Sequence, residues 1–477
     1  MTLRTSISLT AMSLLAGCSL APDYEQPQTA LPGQLGSGEQ VALDELQLEQ
    51  WWTIFNDPEL NALVDRALNE NFDILVAMQN VLAARANLGF AQANQWPTLT
   101  GNSSISRQDY PNTLSPGGAG MGGPQDSFQL LGMLDYEIDL WGKLANASRS
   151  SREELLSTAY AYETVRTTLA AEVASTYFNL KAVRCQIAIT EDTIQARQEA
   201  FDLQTLRRDG GLITELEKQQ AAAELAAAKS ELPGLREEAS LLETSLAVLT
   251  GASPEELWRE PDVSGLREEI PAPPSVPLSQ TPISLLGRRP DILAADARAR
   301  SLTYQIGVVK AERWPSITLG ALGGLVSDPM GKVFSDDNKT WSITGTITGT
   351  IYDFGRNAAR VESAEARQAA AILTYQQVVQ QAFRELRDAV NQLNYSQDRI
   401  IARDEQLMAI DRTVELAQSR YDEGYTNYLD LLSAQNVQFS VELTLVDAWR
   451  SRYLLPLRSS RRWVAAGRSS RHRLMIR

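Results

Sequence analysis

The chain has 477 residues and a net charge of −15, and charged residues make up 22% of it. It contains only two cysteines and one histidine, which excludes a disulfide-stapled scaffold and a Cys/His metal centre. No nucleophile and base stand in a recognisable arrangement, so we expect no enzymatic activity, no metal and no cofactor.

The first 17 residues predict a signal peptide. Arg4 precedes a short apolar run from Ile7 to Leu15, which is too short to span a bilayer. Small residues directly before Cys18 resemble a bacterial lipobox, so we expect cleavage before Cys18 and acylation of its thiol. Ser19 resembles a sorting signal for the outer membrane, whose lipid the acyl chains would enter. The alternative is an ordinary signal peptide with an incidental cysteine.

The rest of the chain is a tandem duplication. Residues 71–77 return as residues 289–295, and residues 95–99 return as residues 313–317, both 218 positions later. The offset then becomes 213 and holds from Gly142 and Gly355 to Leu216 and Leu429. Each copy has about 215 residues, far more than the 20 to 50 of a solenoid repeat. We therefore expect two copies of one large unit, at residues 18–251 and 288–455.

Each copy contains a candidate β-hairpin, at about residues 97–141 and 315–353. Segments of about 10 to 13 residues alternate between apolar and polar side chains, which is typical of strands with lipid on one side and water on the other. The clearest apolar rows are Phe128, Leu130, Gly132, Leu134, Tyr136, Ile138 and Leu140, and Trp341, Ile343, Gly345, Ile347, Gly349 and Ile351. No uninterrupted apolar segment of about 18 residues follows the signal, so we expect strands to cross the membrane. Four strands cannot close a barrel, so several chains must pool them.

A candidate helical hairpin follows each β-hairpin, at about residues 142–250 and 356–455. Residues 146–209 and 357–422 contain neither proline nor glycine, and a helix of that length reaches roughly 100 Å at 1.5 Å per residue. Apolar residues recur along both helices in alternating steps of three and four, the spacing of a coiled coil. Each helix ends at a matched turn, residues 207–214 and 420–427, where a glycine can supply the left-handed cap. We expect a wide tube of helices rather than a compact bundle.

Two segments depart from the repeat. Residues 252–287 are rich in proline and predict an inter-repeat linker. Residues 456–477 form an atypical arginine-rich tail, and the last 28 residues hold nine arginines with no Asp or Glu. Such a tail could bind anionic lipid or nucleic acid. No aromatic interleaving supports nucleic-acid recognition, so we favour a coding frameshift as its origin.

Several motifs between about residues 15 and 455 resemble the outer-membrane factor family, which is TolC-like, and specifically its lipid-anchored RND-type efflux branch of the NodT and OprM type. The motifs are the run from Trp51 to Leu60, the Trp-Pro pairs at 96–97 and 314–315, residues 139–143 with residues 353–356, and the two glycine turns. The resemblance implies a fold that is mainly α with membrane β. In that fold three chains form a 12-stranded barrel in the outer membrane, continuous with a 12-helix barrel in the periplasm.

The resemblance also implies a function. It is that of the outer-membrane exit duct of a tripartite efflux system, lipid-anchored and extending into the periplasm. The duct passively conducts drugs or other toxic small molecules to the exterior when a periplasmic adaptor and an inner-membrane pump of the RND type open it. A duct for type I protein secretion or for heavy-metal efflux is the alternative within channels. A trimeric coiled-coil scaffold without a pore is the alternative outside them, although it would need no hydroxyl-faced strands.

By the same resemblance, specific residues act at the periplasmic end of the helices. Glu217 and Tyr421 occupy the positions of a carboxylate–tyrosine link that holds the closed state. Asp430 matches a carboxylate whose threefold copies ring the narrowest aperture, unless it only lies on a solvated helix face. Leu429 would form the neighbouring apolar ring, and Ser433 stands where the family has a second carboxylate. The turns would contact the adaptor, unless they only reverse the helices, through Gly210, Gly211, Leu212, Gly424, Tyr425 and Thr426.

Overall fold

The computed structural model describes residues 19–27, 50–110, 123–259, 289–328 and 334–460. The predicted signal peptide with Cys18, the linker beyond residue 259 and the tail beyond residue 460 lie outside the described residues. The chain divides into two compact units. One comprises residues 1–28, 80–159 and 294–376, and the other comprises residues 29–79, 160–293 and 377–477.

Helices dominate the described residues, and four strands interrupt them. In chain order the elements are α1 (Pro58–Glu70), α2 (Phe72–Ala93), β1 (Thr98–Tyr110), β2 (Gly123–Ile138), α3 (Lys143–Asp209), α4 (Glu215–Leu249), α5 (Pro254–Leu257), α6 (Pro290–Ala311), β3 (Ser316–Ser327), β4 (Lys339–Thr348), α7 (Arg356–Asp422) and α8 (Tyr428–Ser460). Short 3-10 helices cover Trp51–Phe55 and Asp336–Asn338. Both long helices, α3 and α7, have 67 residues.

The first unit holds one antiparallel sheet in the order β1-β2-β3-β4. The pairing of β2 with β3 joins the two repeats, and β1 and β4 are the edges of this sheet. The register aligns Ile138 with Ile317 and Ile317 with Ile347, so the apolar residues of neighbouring strands share one face. Thr318 and Thr346 pair on the opposite face. The two faces therefore differ in polarity, as the alternation predicts.

The strand β4 ends earlier than the alternation predicts. Its last pair joins Thr348 to Ser316, the first residue of β3. Pro315 precedes Ser316 and has no backbone N–H to donate to the ladder, so the pairing stops there. Residues 349–351 continue the sequence pattern of a strand without a partner on this side.

An aspartate stands just before each of the two long helices. The Asp139 carboxylate accepts a hydrogen bond from the Ala145 N–H at 2.7 Å, and the Asp353 carboxylate accepts one from the Asn357 N–H at 2.8 Å. These bonds satisfy backbone donors that have no partner within the helix. The motifs at residues 139–143 and 353–356 are therefore strand-to-helix caps.

The segment after Cys18 lies along the helices of the first unit. The Ser19 hydroxyl donates to Asn146 Oδ1 at 3.0 Å, and the Tyr24 hydroxyl donates to Asp296 Oδ1 at 2.7 Å. Gln26 Nε2 donates to the Tyr375 hydroxyl at 2.9 Å. Contacts from both ends of the segment hold it against helices of both repeats.

The second unit has the main apolar core. Trp51 and Trp52 are buried in it, so the tryptophan motif is a packing element. Asp57 caps α1 by accepting from the N–H groups of Glu59 and Leu60, at 3.0 and 3.2 Å. The other buried members of the core are Leu60, Val64, Ala67, Ile74, Leu169, Ala170, Ala171, Val173, Ala174, Tyr177, Phe178, Leu180, Val183, Ile187, Ala239, Leu246 and Tyr453.

Helix α2 is an exception among the described residues. It is long and apolar enough to cross a membrane by length and composition alone, with a mean hydropathy of 1.3 over its best window. The expectation in the sequence concerned uninterrupted apolar segments, and this helix is not one. Gln79, Asn80 and Arg85 interrupt the apolar run, which hides it from inspection of the sequence.

Candidate aperture at the helical tips

The two helical hairpins reverse through turns of the same backbone geometry. Gly211 and Gly424 have φ values of 73° and 77°, a region that favours glycine. The Leu212 N–H donates to the Arg207 carbonyl at 2.9 Å, and the Tyr425 N–H donates to the Arg420 carbonyl at 2.8 Å. Bonds of this type satisfy the last carbonyls of α3 and α7.

Side chains then start the returning helices. Thr214 and Glu217 form a capping box at the start of α4, in which the Thr214 N–H donates to Glu217 Oε2 at 2.8 Å. At the start of α8 the Asp430 N–H donates to Asn427 Oδ1 at 3.1 Å. Residues of each turn thus cap the helix that follows it.

An apolar cluster below the turns joins the two hairpins. Tyr428 is buried against Ala221 of the first hairpin, and this burial, with the nearby Tyr421 and Glu224, raises the pKa of Tyr428. The cluster consists of Ala221, Tyr428, Leu431 and Leu432, with Phe201, Ala417 and Tyr421 packed on it. The two tips therefore form one packed body within the second unit.

Polar links at two levels cross between the hairpins. Gln204 Nε2 and Arg207 Nη1 each donate to the Tyr421 hydroxyl at 2.8 Å. Gln204 is only 1% exposed, while Tyr421 and Arg207 are half-buried, so the Gln204 end of this link is shielded from water. Further from the turns, Arg197 Nη2 donates to Asn436 Oδ1 at 2.6 Å, and its guanidinium forms an ion pair with Glu224 at 3.2 Å.

The structure does not bring Glu217 and Tyr421 together within one chain. The Glu217 carboxylate accepts from the Thr214 N–H and hydroxyl, at 2.8 and 3.0 Å. Tyr421 has its partners on α3 instead, Gln204 and Arg207. Their role as a gate link stays a prediction.

The aperture residues predicted on α8 lie together. Leu429, Asp430 and Ser433 are exposed at helical spacing on one face of the helix. Asp430 Oδ2 accepts a hydrogen bond from the Thr426 hydroxyl. Leu429 and Ser433 also line a groove of about 590 Å³, with Glu224, Arg403, Gln406 and Asn436 among its other walls.

The turns predicted to meet an adaptor are exposed, with one large apolar side chain on each. Leu212 is 77% exposed, and its repeat equivalent Tyr425 is 73% exposed. Gly210, Gly211 and Gly424 are exposed beside them, and Thr426 is half-buried.

Sequence reasoning misses Gln204 as a functional residue. The apolar seam of α7 includes Ala417, and subtracting 213 gives Gln204 in α3. The sequence signal is a polar residue at a seam position of one copy where the equivalent position of the other copy is apolar. That signal could have identified Gln204. Within the described ranges no group of three His, Cys, Asp or Glu side chains could hold a metal ion.

Comparison with known proteins shows which family shares this architecture. The family model "Outer membrane efflux protein" matches residues 63–252 and 282–454. Outer membrane protein OprJ of Pseudomonas aeruginosa is 30% identical over 455 residues, which cover 92% of this chain and 91% of OprJ. Cation efflux system protein CusC of Escherichia coli strain K12 is 28% identical over 436 residues, covering 91% and 93% of the two chains.

A solved structure, that of the outer-membrane channel OprN, superimposes with a TM-score of 0.84 at 27% identity, covering 94% of this chain and all of OprN. These similarities confirm the predicted fold class, mainly α with membrane β, in which three chains of four strands each supply a 12-stranded barrel above a 12-helix barrel. They also confirm a location in the outer membrane. The chain belongs to the outer membrane efflux protein family.

Proposed function

We propose that three copies of this chain form the exit duct of a tripartite efflux system. The duct passes drugs or other toxic small molecules from the periplasm to the exterior without chemical change. A periplasmic adaptor and an inner-membrane pump, of the RND type, open it. Acylated Cys18 holds each chain in the lipid of the outer membrane.

The sheet is the observation that carries this proposal. Trp341, Ile343 and Ile347 form an exposed apolar row on β4, while the opposite face bears threonines. A row of this size would be unfavourable in water and is favourable against lipid. The edges of the sheet, β1 and β4, would leave backbone groups unpaired in lipid. Pairing β4 of one copy with β1 of the next removes these edges.

The exposed face of α8 supplies the constriction. Three copies of Asp430 around one axis would repel each other and attract cations. Leu429 adds an apolar ring beside them, and Ser433 leaves the second ring position without charge. The Gln204–Tyr421–Arg207 link and the predicted Glu217–Tyr421 link between hairpins keep this aperture closed.

The exposed turns supply the contact with the adaptor. Leu212 and Tyr425 occupy equivalent positions of the two repeats, so three copies present six apolar tips in a ring. Exposed apolar residues rimmed by polar ones are typical of protein contact sites. The flanking residues Gly210, Gly211, Gly424 and Thr426 leave these tips free to enter a partner.

Heavy-metal efflux is a second candidate for the cargo class. CusC, which is named for cation efflux, is nearly as similar to this chain as OprJ. A ring of Asp430 carboxylates would attract metal cations as it attracts other cations. Accumulation of a dye substrate and of copper, measured in an efflux-deficient host that carries this chain with its cognate pump, separates the two candidates.

Planar-bilayer recording tests the duct itself. Purified acylated protein should migrate as a trimer in detergent and give discrete conductance steps in a planar bilayer. A Tyr421→Phe variant should open more often, since it loses the Gln204–Tyr421–Arg207 link at the tip. Monomeric protein that gives no conductance steps would contradict the proposal.

A further inference from the structure

The groove beside the aperture residues runs along α8, within the second unit. Its walls come from α4, α7 and α8, and its volume of about 590 Å³ lies in the range of small-molecule sites. On α8 the lining extends from Leu429 to Thr444, which is about 22 Å at 1.5 Å per residue. The groove can therefore hold an elongated small molecule that lies along the helix.

The floor and the edge of the groove are apolar. Leu432 and Val441 are buried and form its floor, whereas Leu429 and Val437 are 52% and 45% exposed at its edge. A ligand with an apolar body would remove the exposed side chains from water, which is favourable.

Hydroxyl groups accompany this apolar surface. Ser433, Ser440 and Thr444 line the same groove at steps of seven and four residues, which keeps them on one face of α8. Each hydroxyl can donate and accept hydrogen bonds. The groove therefore offers polar contacts beside apolar ones, which suits an amphipathic ligand.

The remaining charge among the described lining residues is positive. Arg403 of α7 is half-buried in the groove, and its Nη1 donates to Gln406 Oε1 at 2.7 Å. Because the Gln406 amide is neutral, this bond does not neutralise the guanidinium. The carboxylate on the groove wall, that of Glu224, is already paired with Arg197 at 3.2 Å.

This positive charge lies at the end of the groove that is further from the tip. Gln438 Nε2 donates to Asp411 Oδ1 at 2.8 Å, which fixes the register of α8 against α7. Arg403 stands eight residues before Asp411, so in the antiparallel hairpin it is level with the stretch of α8 near Thr444. Asp430 is at the other end, roughly 20 Å away along the helix. The groove is thus apolar along its length and cationic at one end.

We propose that this groove binds amphipathic organic anions, with the anionic head group on Arg403 and the apolar body over Leu432 and Val441. A guanidinium presents planar donors that match a carboxylate, and such charge-assisted bonds are strong. A cationic ligand of the same shape would meet a like charge at Arg403.

In the proposed duct the groove holds such anions on the wall as cargo. A channel conducts well when its sites bind strongly enough for entry and weakly enough for release, so we expect modest affinity. The cargo role rests on the proposed function, whereas the binding itself needs only a single chain.

Calorimetric titration of the full chain in lipid nanodiscs tests the groove, after subtraction of the signal from empty nanodiscs. The probes are decanoate, decanol and acetate. Decanol lacks the charge and should bind about tenfold more weakly than decanoate. Acetate lacks the chain and should also bind about tenfold more weakly. Equal affinity of decanoate with either of the other two probes would overturn the proposal.

Substitutions in the groove locate the binding. Arg403→Gln should weaken decanoate binding about tenfold and leave decanol binding unchanged. Ser433→Asp should weaken decanoate binding as well, because it adds a negative charge to the groove. Decanoate affinity that is unchanged in Arg403→Gln would overturn the proposal.

Arg412→Gln is the matched control. Arg412 lies nine residues after Arg403, which places it on the opposite side of α7, and it pairs with Glu415 outside the groove. This variant should bind decanoate as the parent does. An equal loss of affinity in Arg412→Gln and Arg403→Gln would mean that general surface charge attracts the anion, and it would overturn the site.

The same preparations distinguish this proposal from the duct. A trimer that conducts in a planar bilayer, yet does not bind decanoate, would overturn the groove and leave the duct intact. Protein that binds decanoate through Arg403, yet neither forms trimers nor conducts, would overturn the duct and leave the groove intact.

Discussion

The two hairpin tips share a backbone and differ in what their side chains hold. Gly211 and Gly424 take the same left-handed conformation, and the following N–H bonds back to the same carbonyl position in both. The first tip is closed by Thr214 and Glu217, which bond to each other. In the second tip Tyr421 reaches across to α3.

Repeat-equivalent positions make this difference specific. The equivalent of Tyr421 in the first copy is Arg208, an exposed residue paired with Glu215 at 2.8 Å. The equivalent of Glu217 is Asp430, which bonds to Thr426 on an exposed face. Both copies keep the glycine turn, because the helix reversal requires its backbone conformation. The side chains at equivalent positions make different contacts. The first tip supports itself, and the second holds the hairpins together.

Removing the Tyr421 hydroxyl should show the difference between the two tips most clearly. Tyr421→Phe leaves the buried Gln204 amide and the Arg207 guanidinium without their acceptor, which should lower the free energy of unfolding by about 1–3 kcal/mol. Denaturant titration of the purified protein measures this loss. Arg208→Gln, the equivalent change in the first tip, removes only exposed ion pairs with Asp209 and Glu215 and should lower the free energy of unfolding far less. Equal losses in the two variants would refute the distinction between the tips.

Local features of these tips could be predicted from the sequence. The runs without Pro or Gly at residues 146–209 and 357–422 begin within three residues of α3 and α7 and end at the same residues, since such a run is a local property. The glycine turns and the cap at Thr214 are equally local.

Contacts between distant residues could not be predicted in this way. Gln204 and Tyr421 are 217 positions apart, and no local pattern pairs them. The family resemblance implies a link from Glu217 to Tyr421 between neighbouring hairpins, and it gives no sign of the hydrogen bond that the Glu217 carboxylate accepts from Thr214 in the same turn. A polar residue on an apolar seam indicates that a partner exists, but its identity depends on how the hairpins pack.

Neutralising one carboxylate in each tip compares the effect of the two tips on the ion selectivity of the channel. Asp430→Asn should reduce the preference of the open channel for cations over anions severalfold, because three copies lose a charge worth about 1 kcal/mol each at close range. Glu217→Gln should leave this preference unchanged, because its carboxylate is turned toward Thr214. Reversal potentials in a salt gradient measure both. The aperture role of Asp430 fails if the two variants match the parent channel.

The cap of the first tip should contribute less than the Tyr421 link. Thr214→Ala removes one acceptor for the start of α4 and should lower the free energy of unfolding by about 1 kcal/mol. Conductance should not change, because Thr214 takes no part in the Gln204–Tyr421–Arg207 link. Thr214→Ser keeps the hydroxyl and is the matched control. If Thr214→Ala opened the channel as Tyr421→Phe does, the first tip would also be part of the gate.

The smallest expected effect is the pH dependence of the first tip. The hydrogen bond from the Gln219 amide, and then the charge of Arg208, hold the pKa of Glu215 below its usual value. A lowered pKa in the folded state stabilises the fold above the unfolded value of about 4.3, and this contribution disappears as the pH falls through the folded pKa. The difference in unfolding free energy between the parent and Glu215→Gln should therefore shrink between pH 7 and pH 3. Gln219→Ala should remove part of this dependence. A difference that is constant over this range would mean that the carboxylate gains nothing from its neighbours, and the first tip would then depend on its cap alone.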